Sequence, residues 1–489
     1  MRRGRRDLTR LIPACRDHHS LVSCGRAIMK DMTQGSVTRH LLHMASFIAV
    51  SMVFQTLYLL ADLYWVGRLG KEAIAAVGLS GNLLMAVVAL TQMLGVGTTT
   101  VISHAAGRKD QPSAEKAFNQ SVVLSLAVGL VFGLCAFPFR AQYSQALSAD
   151  ATTASLAVSY LFWFIPALVL QFVLVSLGSA LRATGIIKPA VGLQVLSVIL
   201  NMIFAPLFIF GVGPFPKMGV AGAALATFIS ILIADILTII YFEKSYRYLR
   251  FRVSQWRPEL KIWWSMLRIG IPAGAEFALM AVYIVVVYAI IRGFGAAAQA
   301  GFGVGARVMQ AMFLPVIAVA FAVSPIVGQN FGGRRADRVR RSFHAALAMT
   351  CGTMVVLTIL SQAAAGILIR AFSNDPSVID FGSEYLHIIS FNFVAMGIVF
   401  TSSSVFQGIG NSWPPLISSA TRLFLFALPA VIMSRMPGFH IRQVWYLSVV
   451  SILVQACANL LLLRREFRRK LVFPQDDNLA PIPGSATAA

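Results

Sequence analysis

"LLADLYWVGRLGKEAIAAVG", Leu59 to Gly78, contains both features that decide how this chain is read. Its first half places a carboxylate, Asp62, directly behind an apolar run, in a chain with few acids in such runs. Its second half recurs later in the chain. At an offset of 225 residues Gly70 falls on Gly295, Ala73 on Ala298, Ala75 on Ala300 and Gly78 on Gly303. The same register continues without a gap. Gly107 meets Gly332, Phe118 meets Phe343, Tyr160 and Leu161 meet Tyr385 and Leu386, Gly185 meets Gly410, and Pro189 meets Pro414. A constant ungapped offset over that length marks an internal duplication.

Hydrophobic residues make up 57% of the 489 and charged ones 12%, far more apolar surface than one soluble core can bury. Runs of about 20 or more mostly apolar residues, each long enough to cross a hydrocarbon core of about 30 Å, recur twelve times. They lie near 41–66, 73–99, 117–138, 156–181, 189–211, 219–242, 264–291, 299–326, 343–370, 385–407, 415–433 and 443–463, with Pro166, Pro206, Pro272 and Pro315 inside them. The offset pairs the first span with the seventh and the fourth with the tenth, so each repeat holds six crossings. Six is even, and the halves therefore enter the membrane in the same direction. The expected fold is all-α and integral to the membrane, with twelve transmembrane helices in two six-helix lobes related by a pseudo-two-fold axis along the membrane normal. The expected division is a basic tail at 1–40, lobes at 41–242 and 264–463, a linker at 243–263 and a second basic tail at 464–489.

The net charge of +22 raises the question of nucleic acid, and the distribution of charge answers it. If the amino terminus is inside, the inside segments hold 30 of the 41 Lys and Arg residues and the outside loops hold eight. This is the positive-inside pattern of a multi-pass protein of the cell inner membrane with both termini cytoplasmic; no nucleic-acid partner is expected. Cys15, Cys24, Cys135, Cys351 and Cys457 have no ligand spacing, so neither a disulfide framework nor a metal site is signalled. Residues 1–31 have a basic start but no apolar core for a signal peptide. They read as a cytoplasmic tail or an over-extended reading frame, and "MTQGSVTRHLLHMA" from Met32 favours the second.

An acid inside the membrane is costly, about 2.5–3.5 kcal/mol on insertion scales, so it tends to face water or a partner. Asp62, near the outer end of the first span, reads either as a helix-end acid reaching the interface or as a proton- or cation-binding carboxylate facing a cavity. Glu276 follows Pro272 by four residues and so shares its face. It is a cavity acid or the partner of Arg268 or Arg307. Asp235 lies within about two turns of the cytoplasmic end of the sixth span and is a weaker candidate. Gln55, Tyr58 and Asp62 share one helical face, as do Gln194, Asn201 and Ser197, with Thr227 nearby at the start of the sixth span. Each polar residue alone is as well explained by a helix-to-helix hydrogen bond. His43, His104, His344 and His387 form no ligand pattern and read as structural. The 18 methionines and 34 phenylalanines are mostly packing or lipid-facing residues, some of which suit a cavity for varied apolar cations.

"LADLYWVGRLGKEAIAAVGL", "LGVGTTTVISHAAGRKD", "LRATGIIKPA", "NMIFAPLFIFGVGPFPKMGVAGAALAT", "RIGIPAG", "VGARVMQ" and "VSPIVGQNFGGRRADRV" closely resemble the multidrug and toxic compound extrusion (MATE) family, nearest its DinF-like branch. The resemblance runs from about Met32 to Arg469. It implies two six-helix lobes around a cleft and export of drugs or organic cations in exchange for H⁺ or Na⁺. By matching position it implies that Asp62 drives coupling with Asn201 beside it, and that Gln55, Tyr58 and Thr227 line the first-lobe site. Three positions depart from the family pattern. Ala205 stands where the DinF-like branch has a second acid, which favours a single-acid proton site over a two-carboxylate Na⁺ site. Phe47 replaces the usual proline of the first span, against a bend hinged there. Met280 takes the place of a glutamate used in other branches, with Glu276 one turn earlier.

The expected function is multidrug efflux by H⁺ antiport, with Na⁺ the less favoured ion. Asp62 and Asn201 would couple, and Gln55, Tyr58, Gln194, Thr227, Glu276 and Arg307 would line the substrate cavity. No cofactor beyond the coupling ion is implied. The expected partners are small organic molecules and the lipid bilayer, and the expected state is a monomer. The rivals are a lipid-linked saccharide flippase of the same superfamily, which needs a strongly cationic cavity, and a channel. A membrane enzyme would require a catalytic cluster at one interface, and no such set of His and acid is spaced along the chain.

Overall fold

The computed structural model describes residues 29–473. The question of the natural start, Cys15 and Cys24, and the tail beyond 473 lie outside the described residues. The chain forms α1 (Val37–Gly67), α2 (Lys71–Gly107), α3 (Gln111–Ala136), α4 (Arg140–Leu147), α5 (Ala151–Ala183), α6 (Ile187–Phe210) and α7 (Val220–Lys244). It continues through α8 (Leu260–Ile291), α9 (Ala296–Gly332), α10 (Ala336–Arg370), α11 (Pro376–Ile389), α12 (Asn392–Ile409), α13 (Trp413–Met433) and α14 (Ile441–Lys470). Twelve are long and apolar enough to span a membrane; α4 and α11 are the short exceptions.

The duplication is visible in the helix ends. Lys71–Gly107 shifted by 225 residues is 296–332, the extent of α9. The residues that stop and start helices repeat as well. Asp150 and Asp375 both cap helices, accepting hydrogen bonds from Thr153 and Ser377 respectively. These bonds hold both carboxyls below their ordinary value. Gly185 and Gly410 follow α5 and α12 with φ of 78° and 82°, a left-handed turn that a side chain would strain.

The halves differ where their side chains differ. Pro138 helps end α3 in the first half; in the second, where no proline intervenes, α10 runs on through a kink at Ala364 (φ −131°). The continuous span expected at 385–407 is corrected by the structure: the helix breaks at Ser390 and Phe391. Side chains of α10 take up the groups freed there. Thr358 Oγ1 donates to Ser390 O (3.1 Å), and Gln362 Nε2 donates to His387 O (2.7 Å) and Ser390 Oγ (2.8 Å). Within hydrocarbon such compensation is what allows a break.

Large apolar side chains such as Leu134, Val131, Ile367 and Phe424 are exposed, as a hydrocarbon solvent permits. Aromatic clusters pin each half, Phe118 on Phe242 (4.7 Å) in the first and Tyr385 on Trp445 (4.8 Å) in the second. Between the halves the contacts concentrate toward the end bearing the basic segments. There α2 runs against α8 and α9, and α1 against α9. Backbone meets backbone: a Cβ on Gly107 would overlap the Gln329 carbonyl, and one on Gly332 would overlap that of His104. Gly107 and Gly332 are one repeat pair and His104 and Gln329 another. The seam is therefore built about the pseudo-two-fold axis, each half presenting the same patch. His104 Nε2–H donates to Gly408 O (2.7 Å), and Gln329 Nε2 donates to Ala183 O (2.9 Å), again at matching positions.

The segment joining the halves is clasped by two polar residues of α3. Asn119 binds Arg250 O (2.8 Å), Arg252 N (2.9 Å) and Trp256 Nε1 (3.1 Å). Gln120 binds Gln255 O (2.6 Å), Arg257 O (2.8 Å) and Glu259 N (2.9 Å). Glu115 pairs with Arg252 and Lys116 with Glu259 (2.7 Å), which fixes the lead-in to α8 on the first half.

Candidate functional site

In the first half, three of the residues singled out in the sequence meet at one hydroxyl. Asn201 Nδ2, from α6, donates to Thr227 Oγ1 on α7 (3.0 Å), and Tyr58 Oη, from α1, lies 3.3 Å from the same oxygen. Asp62 stands one turn beyond Tyr58 on α1. It is 9% exposed, and its Oδ1 is buried with no hydrogen-bond partner. No cation among the described residues pairs with it, and Tyr58 and Tyr160 on α5 stand near it. A carboxylate so placed has one open coordination direction and hydroxyl groups nearby, which suits binding and release of a small cation or a proton. Ala205, in the place of the absent second acid, is buried and apolar.

Nearer the basic end a separate chain forms. Gln55 Nε2 donates to Ser51 Oγ (3.4 Å), which donates to Gln194 Oε1 on α6 (2.8 Å). Gln55 is exposed and Ser197 is buried without joining this set. The structure thus divides the first-half candidates into an acid-bearing group and an amide-bearing group along α1.

The second half carries its own polar group, on different residues. Glu276 Oε2 accepts from Ser403 Oγ on α12 (2.7 Å), and Oε1 accepts from Ser419 Oγ on α13 (3.3 Å). Gln455 on α14 donates to Ser419 (2.9 Å), and Gln407 extends the set to Ser403 (3.5 Å). The alternative that Glu276 pairs with Arg268 or Arg307 is corrected: its partners are hydroxyls, and both arginines are exposed. Arg422 instead lies over the Tyr283 ring (4.9 Å). By the 225-residue offset Glu276 matches Ser51 and Ser419 matches Gln194, so one repeat position serves two polar clusters of different charge.

That offset also isolates what is special to each half. Asp62 and Asn201 correspond to Val287 and Phe426, whereas α7 and α14 begin at Val220 and Ile441, four residues short of that offset, so Thr227 corresponds to Ser448, which meets Tyr283 Oη (2.9 Å) as Thr227 meets Tyr58. The architecture tolerates apolar residues at the places of Asp62 and Asn201, so that acid and amide are additions to the fold, while the tyrosine and hydroxyl pair is common to both lobes. Tyr160, Ser51, Ser403, Ser419 and Gln455 were not picked out by sequence reasoning. Serine is common wherever membrane helices touch, and only the juxtaposition separates these from the rest. Asp235 on α7 is 4% exposed with both carboxylate oxygens unpartnered, and at the shorter spacing of α7 and α14 it matches Ala456.

A duplicated bundle of twelve spanning helices, sealed at one end and carrying a buried acid in the first half and a half-buried one in the second, defines a helical membrane transporter of the two-lobe type. The MatE family model matches residues 48–207 and 272–433, one match per lobe, and the chain belongs to that family. It is 26% identical over 374 residues to an FAD transporter of Shewanella oneidensis, covering 76% of this chain and 82% of that one. It is 27% identical over 384 residues to the multidrug export protein MepA of Staphylococcus haemolyticus, covering 77% and 83%. A solved MOP superfamily transporter from Pyrococcus furiosus superposes with a TM-score of 0.83 over 91% of this chain and 98% of its own, at 23% identity.

Proposed function

We propose that this protein is a multidrug efflux antiporter of the cell inner membrane. It exports amphipathic, cationic or neutral organic compounds in exchange for protons, as a monomer with both termini in the cytoplasm. The observation that carries this reading is Asp62: a buried acid with an unpartnered oxygen, beside Tyr58, Thr227 and Asn201, at a position where the other lobe has Val287. The family and the multidrug exporters among its relatives supply the substrate class. The clustering of basic residues at the sealed end supplies the orientation.

In this scheme the lobes, 41–242 and 264–463, rock about the seam while 243–263 holds them together. The form sealed at the basic end faces outward. A proton entering from outside neutralises Asp62 and removes its attraction for a cationic substrate bound in the cleft, and substrate leaves. The neutral acid then permits the lobes to tilt and release the proton inside. A lone acid serves this cycle with one proton, and Ala205 leaves no second carboxylate for a Na⁺ cage. Glu276, held by Ser403 and Ser419, provides negative charge for a substrate cation in the second lobe, while Gln55 and Gln194 offer amides to its polar groups.

The test is transport in proteoliposomes with H⁺ and Na⁺ gradients imposed separately, using an organic cation dye and, because one relative carries it, FAD. Asp62→Asn keeps the side chain's shape and removes its titration. Gradient-driven export is expected to fall to the protein-free background while the purified variant stays folded. Export by Asp62→Asn equal to the parent overturns the assignment of Asp62, and export driven by Na⁺ alone overturns the choice of ion.

A further inference from the structure

The residues just before α1 do not trail away from the bundle. They lie across the seam and bond to both lobes. Lys30 N–H donates to Thr184 O, at the end of α5 in the first lobe (3.0 Å). Two residues on, Met32 N–H donates to Gln329 Oε1 of α9 in the second lobe (2.9 Å). Met32 O accepts from Asn330 Nδ2 (3.2 Å) and Arg338 Nη2 (3.1 Å). Arg338 also donates to Gln34 O (3.2 Å) and Gly35 O (2.9 Å), and its Nε is held by Asn330 Oδ1 (2.9 Å). The Met32 side chain is 1% exposed, packed among apolar residues of α1, α9, α10 and α12. Asp31 accepts from Thr33 N (2.8 Å) and Thr33 Oγ1 (2.5 Å), which sets the bend before Ser36 caps α1.

Nearly every bond the second lobe makes here goes to the main chain of residues 32–35. Gln329, Asn330 and Arg338 therefore form a receptor for an extended peptide, and its occupant is the chain's own lead-in to α1. The other lead-in is clasped in the matching manner: Asn119 and Gln120 of the first lobe hold 250–259 ahead of α8. The two differ in one respect. The second clasped segment is the covalent join between the lobes; among the described residues the first is joined covalently to the bundle only through α1, so it can leave its receptor without breaking the chain.

We propose that in the 489-residue chain, which carries Lys30 and Asp31 ahead of Met32, residues 30–35 are a removable strap that locks the lobes together at the basic end. Its release from Gln329, Asn330 and Arg338, or from Thr184, is a necessary step in opening that end. This rests on the two-lobe exchange proposed above, and the geometry makes the dependence plain. Thr184 and Gln329 belong to different lobes, and a strap only two residues long between its bonds to them cannot hold both once they separate. The strap therefore reports and biases the conformational equilibrium through main-chain bonds, while Asp62 acts through charge.

The test uses the full chain in lipid nanodiscs. Spin labels are placed at Arg108→Cys and Arg335→Cys, exposed positions on either side of the seam, in a background lacking the native cysteines. The interlobe distance and the amide exchange of residues 30–36 are read together. Lys30→Pro removes one strap donor without touching either lobe, and Arg338→Ala empties the receptor's fork. Each is expected to raise exchange at the Met32 amide about tenfold, since bonds of this kind are worth roughly one factor of ten each. Each is also expected to shift the label distances toward the longer population. In the parent, lengthening of that distance and loss of strap protection should rise together when substrate or a pH gradient is applied. Lobes that separate at the basic end while the Met32 amide stays protected overturn the proposal, as do Lys30→Pro and Arg338→Ala distributions identical to the parent. Neither readout requires that protons be the coupling ion, so a wrong choice of ion would leave this result intact.

Discussion

At the residue scale, the polar positions of the two lobes can be read against each other, because the duplication supplies an internal control. Asp62 is set against Val287 and Asp235 against Ala456, so neither acid is demanded by helix packing. The two acids differ in their surroundings: Asp62 adjoins a hydroxyl and amide cluster, whereas both oxygens of Asp235 are buried without a partner. An unsatisfied buried acceptor costs about 1–3 kcal/mol. Asp235→Leu, which puts an apolar side chain of similar length there, is expected to stabilise the protein by about that amount. Thermal unfolding in detergent measures it, and a lowered midpoint would show that Asp235 has partners in the folded state. Spacing made Gln55, Tyr58 and Asp62 legible as one face and brought Asn201 and Thr227 into consideration. It could not reveal that Asn201, Thr227 and Tyr58 share one hydroxyl, or that Tyr160 stands near Asp62, because those contacts join helices far apart in the chain.

At the element scale, the helices were legible as apolar runs and their interruptions were not. The break between α11 and α12 lies in a stretch as apolar as its neighbours, and what stabilises it, Thr358 and Gln362, sits on α10 about thirty residues earlier. Gln362→Leu removes one of the two donors to His387 O, leaving Ser390 Oγ (3.0 Å), and takes away the amide that Ser390 Oγ accepts from. We expect a loss of about 0.5–1.5 kcal/mol, seen as a lower unfolding midpoint and faster amide exchange confined to residues around 387–392. Unchanged exchange there would mean that the break is held by other groups. The clasp of Asn119 and Gln120 on the lead-in to α8 was equally hidden, since two amides in an α3 rich in apolar residues carry no signal of the loop they bind.

At the scale of the whole molecule, the seam follows from duplication and from the small residues on it. Gly107 and Gly332 let α2 and α9 touch backbone to backbone, and in hydrocarbon such close packing is a main source of association between helices. Gly332→Val puts side-chain atoms where the His104 carbonyl lies. The basic end should then be unable to seal: labels across it should show only the longer distance, and gradient-driven export should fall to background. A variant with parental distances would show that the close approach is dispensable. Six crossings per repeat, the parallel relation of the lobes and the membrane itself were settled by the sequence alone, because hydropathy and a fixed 225-residue offset are properties of the chain's order. The sealed end, the receptor for residues 30–35 and the division of polar residues into one cluster with Asp62 and another with Glu276 were decided only by tertiary structure. They depend on which faces of separate helices meet, and a one-dimensional pattern of apolar residues does not distinguish a face turned to a neighbour from one turned to lipid, since in hydrocarbon both are apolar.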